Sequence, residues 1–204
     1  MLASILASSL ALSSLAAPQI SDRLVRDLTS DYPRWALKQN ESAGTVISVI
    51  VDPEGRALRC DIVAVVGSDR LAEYVCEQLK RVRFEPATDA TGAKRYGKIV
   101  GLIKMALPDT DVGRQIIALR QQPDVELTVT SLPDKEERFR EVKVQALVND
   151  NGLIENCNGS DTRTKELNAA ACKVLEGQKL PVEIAGDGSV VSYVQEMTVS
   201  FSVE

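Results

Sequence analysis

The residues with the clearest chemical potential in this chain are four cysteines. They occur in two similar motifs about 97 residues apart, Gly55-x4-Cys60-x15-Cys76 and Gly152-x4-Cys157-x14-Cys172. Thiols at these spacings could form disulfides, exchange disulfides or bind a metal ion. Four cysteines allow three disulfide connectivities. The repetition favours the one in which each copy closes its own pair.

Other catalytic chemistry has little support in the sequence. The chain has no histidine, which removes Ser-His-Asp and Cys-His arrangements and zinc sites that need imidazole. It contains no GxGxxG, Walker A or CxxC motif, and its acidic residues show no spacing that singles out a catalytic pair. We therefore expect no enzyme activity, no catalytic residues, no cofactor and no metal site. The net charge of −5 argues against nucleic acid as a partner.

The elements around the first cysteine pair predict a strand tied to a helix. Residues 45–51 are a β-branched run, residues 52–55 form a turn, and residues 56–66 return as the second strand of a hairpin. Period-two alternation places Leu58, Cys60 and Ile62 on one face of that strand. Ser68 is a suitable N-cap for a helix over about 69–82.

That helix has an apolar stripe, and Cys76 lies beside it. The stripe consists of Leu71, Val75, Leu79 and Val82. Burying it against the hairpin brings Cys76 opposite the strand cysteine. A reactive thiol needs exposure and a positive field, so cysteines on two core faces are predicted to form a structural disulfide instead.

The rest of the chain repeats this order. We predict a third strand over 96–106, a short helix over 112–121 and an extra strand over 125–131. The second copy then supplies two strands, a helix over 164–176 and a last strand. The predicted fold class is α+β, with two tandem β-β-α-β modules, each an antiparallel sheet with one helix packed on a face.

The N-terminus resembles a secretory signal peptide. Residues 1–17 are rich in Leu, Ala and Ser and carry no charged side chain. Cleavage sites of small residues end at Ala16 and at Ala17. The stretch has no Lys or Arg before its apolar part, so an uncleaved membrane anchor is the alternative. The predicted boundaries are a signal peptide at 1–17, a first domain at 18–107, a linker at 108–124 and a second domain at 125–204.

Several motifs of the first copy resemble the C-terminal domain of TonB. They span about 32–107, and the second copy keeps only some of them, with Leu180-Pro181-Val182 in place of Phe-x-Pro-Ala. The motifs are Tyr32-Pro33 with Ala36, Gly44-Thr45-Val46, Asp52 to Gly55, Gly67-Ser68 before Leu71, and Phe84-Glu85-Pro86-Ala87 before Gly92. The chain is thus identified as two tandem copies of this domain, the second degenerate.

The resemblance implies a periplasmic protein-binding module. In that family an extended receptor segment pairs with an edge strand of the domain, and inner-membrane motor proteins supply the energy. The implied partners are an outer-membrane TonB-dependent receptor or the motor proteins, and the oligomeric state is not predicted. The corresponding edge strand here is the third, with binding residues Lys98, Ile99, Val100, Gly101, Leu102 and Ile103. Proline at Ile99 or Gly101 should then weaken binding.

One departure from the family leaves a second function open. A complete TonB has a long Pro/Lys-rich spacer, and the eight prolines of this chain are scattered. The alternative is a structural or envelope-stress protein of the periplasm that has the same fold and does not couple to receptors.

Overall fold

A computed structural model describes residues 15–21, 23, 24, 26, 30–159 and 161–204 of the 204-residue chain. Most of the predicted signal peptide, residues 1–14, lies outside the described residues. We refer to residues 30–107 as the first half and to residues 125–204 as the second half.

The helices and strands follow the predicted order. The helices are α1 (Arg34–Gln39), α2 (Asp69–Leu79), α3 (Asp111–Ala118) and α4 (Lys165–Leu175). The strands of the first half are β1 (Ala43–Val51), β2 (Ala57–Gly67), β3 (Ala87–Thr88) and β4 (Lys94–Met105). Those that follow are β5 (Val125–Val129), β6 (Phe139–Val148), β7 (Ile154–Gly159), β8 (Glu183–Ile184), β9 (Val190–Val191) and β10 (Tyr193–Val203). The longer predicted elements are confirmed to within a few residues at their ends.

Eight of the ten described strands join into one sheet, and β8 pairs with β9 separately, which differs from the prediction of a separate antiparallel sheet in each module. Its order is β2-β1-β4-β10-β6-β7, with β3 added to β4 and β5 added to β10. Within each half the long strands pair antiparallel, as predicted. The two halves are joined by a parallel pairing of β4 with β10. The fold is therefore α+β, with a mixed eight-stranded sheet and helices packed on it.

Each half has its own hydrophobic core beneath its long helix. In the first half, Leu71, Val75 and Leu79 of α2 pack on β1, whose inward side chains Ile47 and Val49 are fully buried. The second half packs Leu167, Ala171 and Leu175 of α4 on Val144, Ala146 and Val148 of β6. The predicted stripes of both helices therefore face the sheet. In the first half the burial comes mainly from β1, because β2 is an outer strand and leaves Leu58 and Ile62 about 40% exposed.

The two halves also share the details of their first hairpin turn. Asp52 accepts hydrogen bonds from the backbone amides of Glu54 and Arg56 at 3.0 and 2.7 Å. At the equivalent place Asn149 accepts from the amides of Asn151 and Leu153, both at 2.9 Å.

The glycines that follow these two residues have the same left-handed conformation. Gly55 and Gly152 both have φ near +81°. A Cβ atom at either position would lie within 2.3 Å of a backbone carbonyl oxygen, that of Phe84 or that of Leu180. Both turns therefore require glycine for the same two reasons.

Candidate functional site

The predicted binding residues lie in a cleft where two strands separate. β4 and β10 run side by side for three residue pairs, Tyr96–Lys98 with Tyr193–Gln195. Beyond these pairs they diverge and leave a cavity of about 420 Å³. All six predicted residues, Lys98 to Ile103, are among its lining residues.

The position of β4 in the sheet corrects one expectation. The third strand was expected to be an outer edge, but the outer strands of the sheet path are β2 and β7. β4 lies between β1 and β10 because the second half pairs with its first residues. The part of β4 beyond Lys98 is bounded by the cleft instead of by β10.

A side chain from the linker contacts the backbone of β4 in this cleft. Gln121 donates from Nε2 to the carbonyl oxygen of Val100 at 3.4 Å, and its Oε1 accepts from the amide of Leu102 at 3.2 Å. These are the two kinds of bond that a neighbouring strand would make. Both distances are longer than the usual 2.9–3.0 Å, so the amide of Gln121 is a poor substitute for a strand.

These contacts show which residues of β4 face the cleft. The amide and carbonyl of one residue in an extended strand point to the same side, and the side alternates along the strand. Val100 and Leu102 therefore point their backbone groups into the cleft, whereas Ile99 and Gly101 bond to β1. Proline at Ile99 or Gly101 would break the β1–β4 ladder, so Leu102 is the better position for a proline test.

The linker also contacts the opposite wall of the cleft. The backbone amide of Asp124 donates to the carbonyl of Thr198 at 2.8 Å, and Asp124 Oδ2 accepts from the amide of Thr198 at 2.7 Å. Beyond this point β5 pairs in parallel with the end of β10. Residues 121–124 thus contact both strands at the place where they separate.

Three of the four charged side chains that line the cleft are paired within the protein. Glu196 on β10 forms an ion pair with Lys143 at 2.7 Å and accepts a hydrogen bond from Gln145 at 3.0 Å. Lys98 on β4 forms an ion pair with Glu183 at 2.6 Å. What the cleft offers a ligand is therefore mainly backbone groups and apolar surface.

An apolar cavity of about 210 Å³ adjoins the same stretch of β4. Val100 and Leu102 line both cavities. Other apolar residues of this second cavity include Val46, Val66 and Leu119. Side chains that alternate along an added strand could enter it, which is how strand-addition sites obtain specificity.

A buried ion cluster between the halves was missed by the sequence analysis. Glu183 on β8 is 3% exposed and contacts Arg59 on β2 and Lys98 on β4, each at 2.6 Å. Burial, and then the charge of Glu183, raise the pKa of the Tyr193 hydroxyl, which donates to the carbonyl of Pro181 at 2.9 Å. In the alignment of the two copies, Glu183 corresponds to the apolar residue Ala87. A charged residue at a position that is apolar in the other copy was the sequence signal that could have indicated this cluster.

The four cysteines form the two predicted disulfides. Cys60 is bonded to Cys76 and Cys157 to Cys172, with Cα–Cα distances of 5.5 and 5.4 Å. Each bond links a strand to the long helix of the same half. The cysteines are therefore structural in both halves.

A comparison with protein families finds a match to the first half. The family model of the Gram-negative bacterial TonB protein C-terminal matches residues 29–102, which are 74 of the 204 residues. This segment is therefore similar to the TonB C-terminal domain, and that family consists of non-catalytic binding modules. The match covers α1 to β4 and does not extend to the second half.

The remaining comparisons add no relative. No curated protein and no solved structure matches the chain. Within the described residues, no helix is long and apolar enough to cross a membrane. The same residues contain no cluster of three or more cysteine or acidic side chains that could hold a metal ion.

Proposed function

We propose that this protein is a non-enzymatic binding protein of the periplasm. It takes an extended segment of a partner protein into the cleft by strand addition to β4. The observation that carries the proposal is the contact of Gln121 with Val100 and Leu102. This contact identifies a stretch of β4 whose backbone amide and carbonyl groups face the cleft. They are hydrogen-bonded there to a side chain instead of to a neighbouring strand.

Strand addition would replace the weak contacts of Gln121. A partner backbone would donate to Val100 and accept from Leu102 at ordinary hydrogen-bond distances. Its alternate side chains would enter the apolar cavity beside β4. Gln121 must move aside in this mechanism, which a flexible side chain in a linker can do at small cost.

The family and the disulfides support the location and the class of partner. Both are consistent with the periplasm, where disulfides form and persist. The family suggests protein partners such as TonB-dependent receptors, and among these we favour an extended periplasmic segment of an outer-membrane receptor. The inner-membrane motor proteins are the other partner class.

We also infer that the second half is a degenerate copy of the first, with domains at 18–107 and 125–204. The support is the equivalent disulfides, the equivalent first turns and the same order of strand, strand, helix and strand. In this proposal the second copy does not bind a partner of its own. It supports the first copy, because β10 pairs with the start of β4.

The test of strand addition is the substitution Leu102→Pro. Proline removes the amide that faces the cleft and leaves the ladder to β1 intact. We expect binding of a receptor segment to weaken at least about tenfold, the loss of one well-placed hydrogen bond together with a steric clash. Isothermal titration with synthetic peptides from the periplasmic segments of the cell's outer-membrane receptors measures it.

The matched control is Ile62→Pro on the outer strand β2. By the same alternation the amide of Ile62 points away from β1. This variant therefore also removes one outward-facing backbone amide, but at the edge formed by β2. It should bind within about twofold of the unchanged protein. Equal effects of the two prolines would contradict strand addition at β4.

The alternative function has one observation in its favour. The second half covers the start of β4, and the linker contacts the next part. A structural or envelope-stress protein without receptor coupling would need no free edge. Failure of every receptor peptide to bind the unchanged protein would favour this alternative.

A further inference from the structure

Residues 15–17 occupy an N-terminal slot that has the features of a peptide-binding site. We use the name for the space bounded by Thr88, Gln145 and Asn158 and by the apolar residues Ala87, Leu147 and Val194. Ala16 pairs with Thr88 of β3 as a short antiparallel bridge, with N···O distances of 3.0 and 2.9 Å. The bridge uses the backbone of both partners, as an added strand does.

Two side chains of the second half complete the backbone contacts. The amide of Ala17 donates to Oε1 of Gln145 at 2.9 Å, and Gln145 is 5% exposed. The amide of Leu15 donates to Oδ1 of Asn158 at 3.2 Å. Each of the three residues 15–17 therefore has its amide bonded to the walls of the slot.

The side chains of the segment alternate between the slot and the solvent. Leu15 and Ala17 are buried in a cluster with Ala87 and Val194, whereas Ala16 is exposed. Pro18 follows and lies over Gly97, where a Cβ atom would come within 2.4 Å of the proline ring. The slot thus selects a large apolar residue, any residue and a small residue, in that order, and Pro18 closes its far end.

The equivalent place in the other half has no such slot. There Glu183 stands where Ala87 stands, and Lys98 where Val194 stands, and the two form the buried ion pair. Arg59 adds a second contact to Glu183. The protein closes that space with its own side chains, so an added peptide segment is not a necessary consequence of the duplicated fold.

The sequence gives the slot a possible second state, because residues 15–17 end the predicted signal peptide. Cleavage after Ala16 or after Ala17 would remove Leu15 together with the bridge to Thr88. Cleavage after Ala17 leaves Pro18 over Gly97 and empties the places of all three residues 15–17. We propose that the mature protein binds in this slot an extended peptide of the same three-residue pattern from another polypeptide. This site is distinct from the backbone of β4 around Leu102 and does not depend on the proposed receptor function.

The experiment begins with the protein exported from cells that express the full chain. Intact mass gives its N-terminus, which we expect to be Pro18. A fluorescently labelled peptide, Ser-Leu-Ala-Ala, is then titrated and followed by anisotropy. We expect saturable binding, and no binding of a control peptide with aspartate in place of leucine and of the second alanine.

Two protein variants place the binding in the slot. Gln145→Ala removes the acceptor for the third residue of the bound pattern and should weaken binding about fivefold. Gln121→Ala alters the cleft at β4 and should leave binding within about twofold. Circular dichroism and thermal unfolding check that both variants are folded like the exported protein.

Three results would overturn the proposal. The first is an exported protein that retains Ala17, because the slot is then filled wholly or partly by its own chain. The second is a processed protein that does not bind the labelled peptide. The third is binding that Gln145→Ala leaves unchanged in a folded variant.

Discussion

Asp52 illustrates how a single carboxylate fixes a turn and links it to pH. Burial alone would raise the pKa of Asp52, but hydrogen bonds from the backbone and side chain of Arg56, and from the amide of Glu54, outweigh it and lower the pKa. A carboxyl with a lowered pKa in the folded state stabilises that state above its unfolded pKa of about 3.9. This contribution is lost as the pH falls through the folded pKa.

The substitution Asp52→Asn should therefore make the free energy of unfolding depend less on pH in the acid range. Asparagine can accept the two backbone bonds, as Asn149 does in the second half, but it does not titrate. We expect a loss below about 1 kcal/mol at pH 7 and a smaller fall in the free energy of unfolding below about pH 4 than in the unchanged protein. Urea unfolding from pH 7 to pH 2 measures both, and an unaltered slope would contradict this role of Asp52.

The ion cluster at Glu183 is the second feature that acts through single residues. Removal of one partner of a buried pair leaves an uncompensated charge, at a cost of about 3–5 kcal/mol. Glu183→Gln should therefore strongly destabilise the protein, since the side chain of Lys98 is only 12% exposed. Urea unfolding at pH 7 gives the difference in free energy.

The other half of the protein suggests the control for this prediction. Glu183→Ala combined with Lys98→Val copies the apolar pair Ala87 and Val194. Replacement of a buried ion pair by apolar residues is often nearly neutral. The double variant should therefore be more stable than Glu183→Gln, and the opposite order would show that the cluster does not carry a buried charge.

Among the elements, each long helix is held to its hairpin by one disulfide. The chain-entropy estimate for a closed loop of about 15 residues is about 3 kcal/mol. Replacing Cys60 and Cys76 together by alanine should lower the free energy of unfolding by about that amount. The double replacement of Cys157 and Cys172 should have a similar effect, since the two loops are nearly equal in length.

Mass mapping under non-reducing conditions provides the direct check on the pairing. Peptides linked through Cys60–Cys76 and through Cys157–Cys172 are expected. Links between the halves, or free thiols, would contradict the structural role assigned to both pairs.

The elements were predictable because their signals are local. The β-branched run of β1, the N-cap at Ser68 and the stripe of α2 all lie within windows of a few residues, and each is reproduced in the structure. The duplication showed the same pattern of elements and cysteines twice. This repetition led to the prediction that each copy closes its own disulfide. Part of the candidate site was accessible in this way, since Lys98 to Ile103 line the cleft.

The pairing of the halves could not be predicted in the same way. β4 and β10 meet through backbone groups of Tyr96–Lys98 and Tyr193–Gln195, and backbone pairing between distant segments leaves no periodic signal in either one. The contact of Gln121 with β4 is equally non-local. The sequence therefore indicated the strand that lines the cleft and missed the strand and linker that complete it.

At the scale of the whole molecule, the shared sheet couples the two halves. The parallel ladder is short, and the contacts of Glu183 and of residues 15–18 cross the same boundary. Each half nevertheless has a separate core and a separate disulfide. The molecule thus combines two locally stabilised units with a small connecting region.

The parallel pairing of β4 with β10 has a consequence for the order of folding. It joins residues that are almost a hundred positions apart, and contacts of such high contact order form slowly because a long loop must close first. Each half can condense around its own helix sooner. During synthesis and export, β4 can pair with β1 but presents a free edge on its other side until β10 arrives. Aggregation, or capture by a chaperone, competes with folding in this interval.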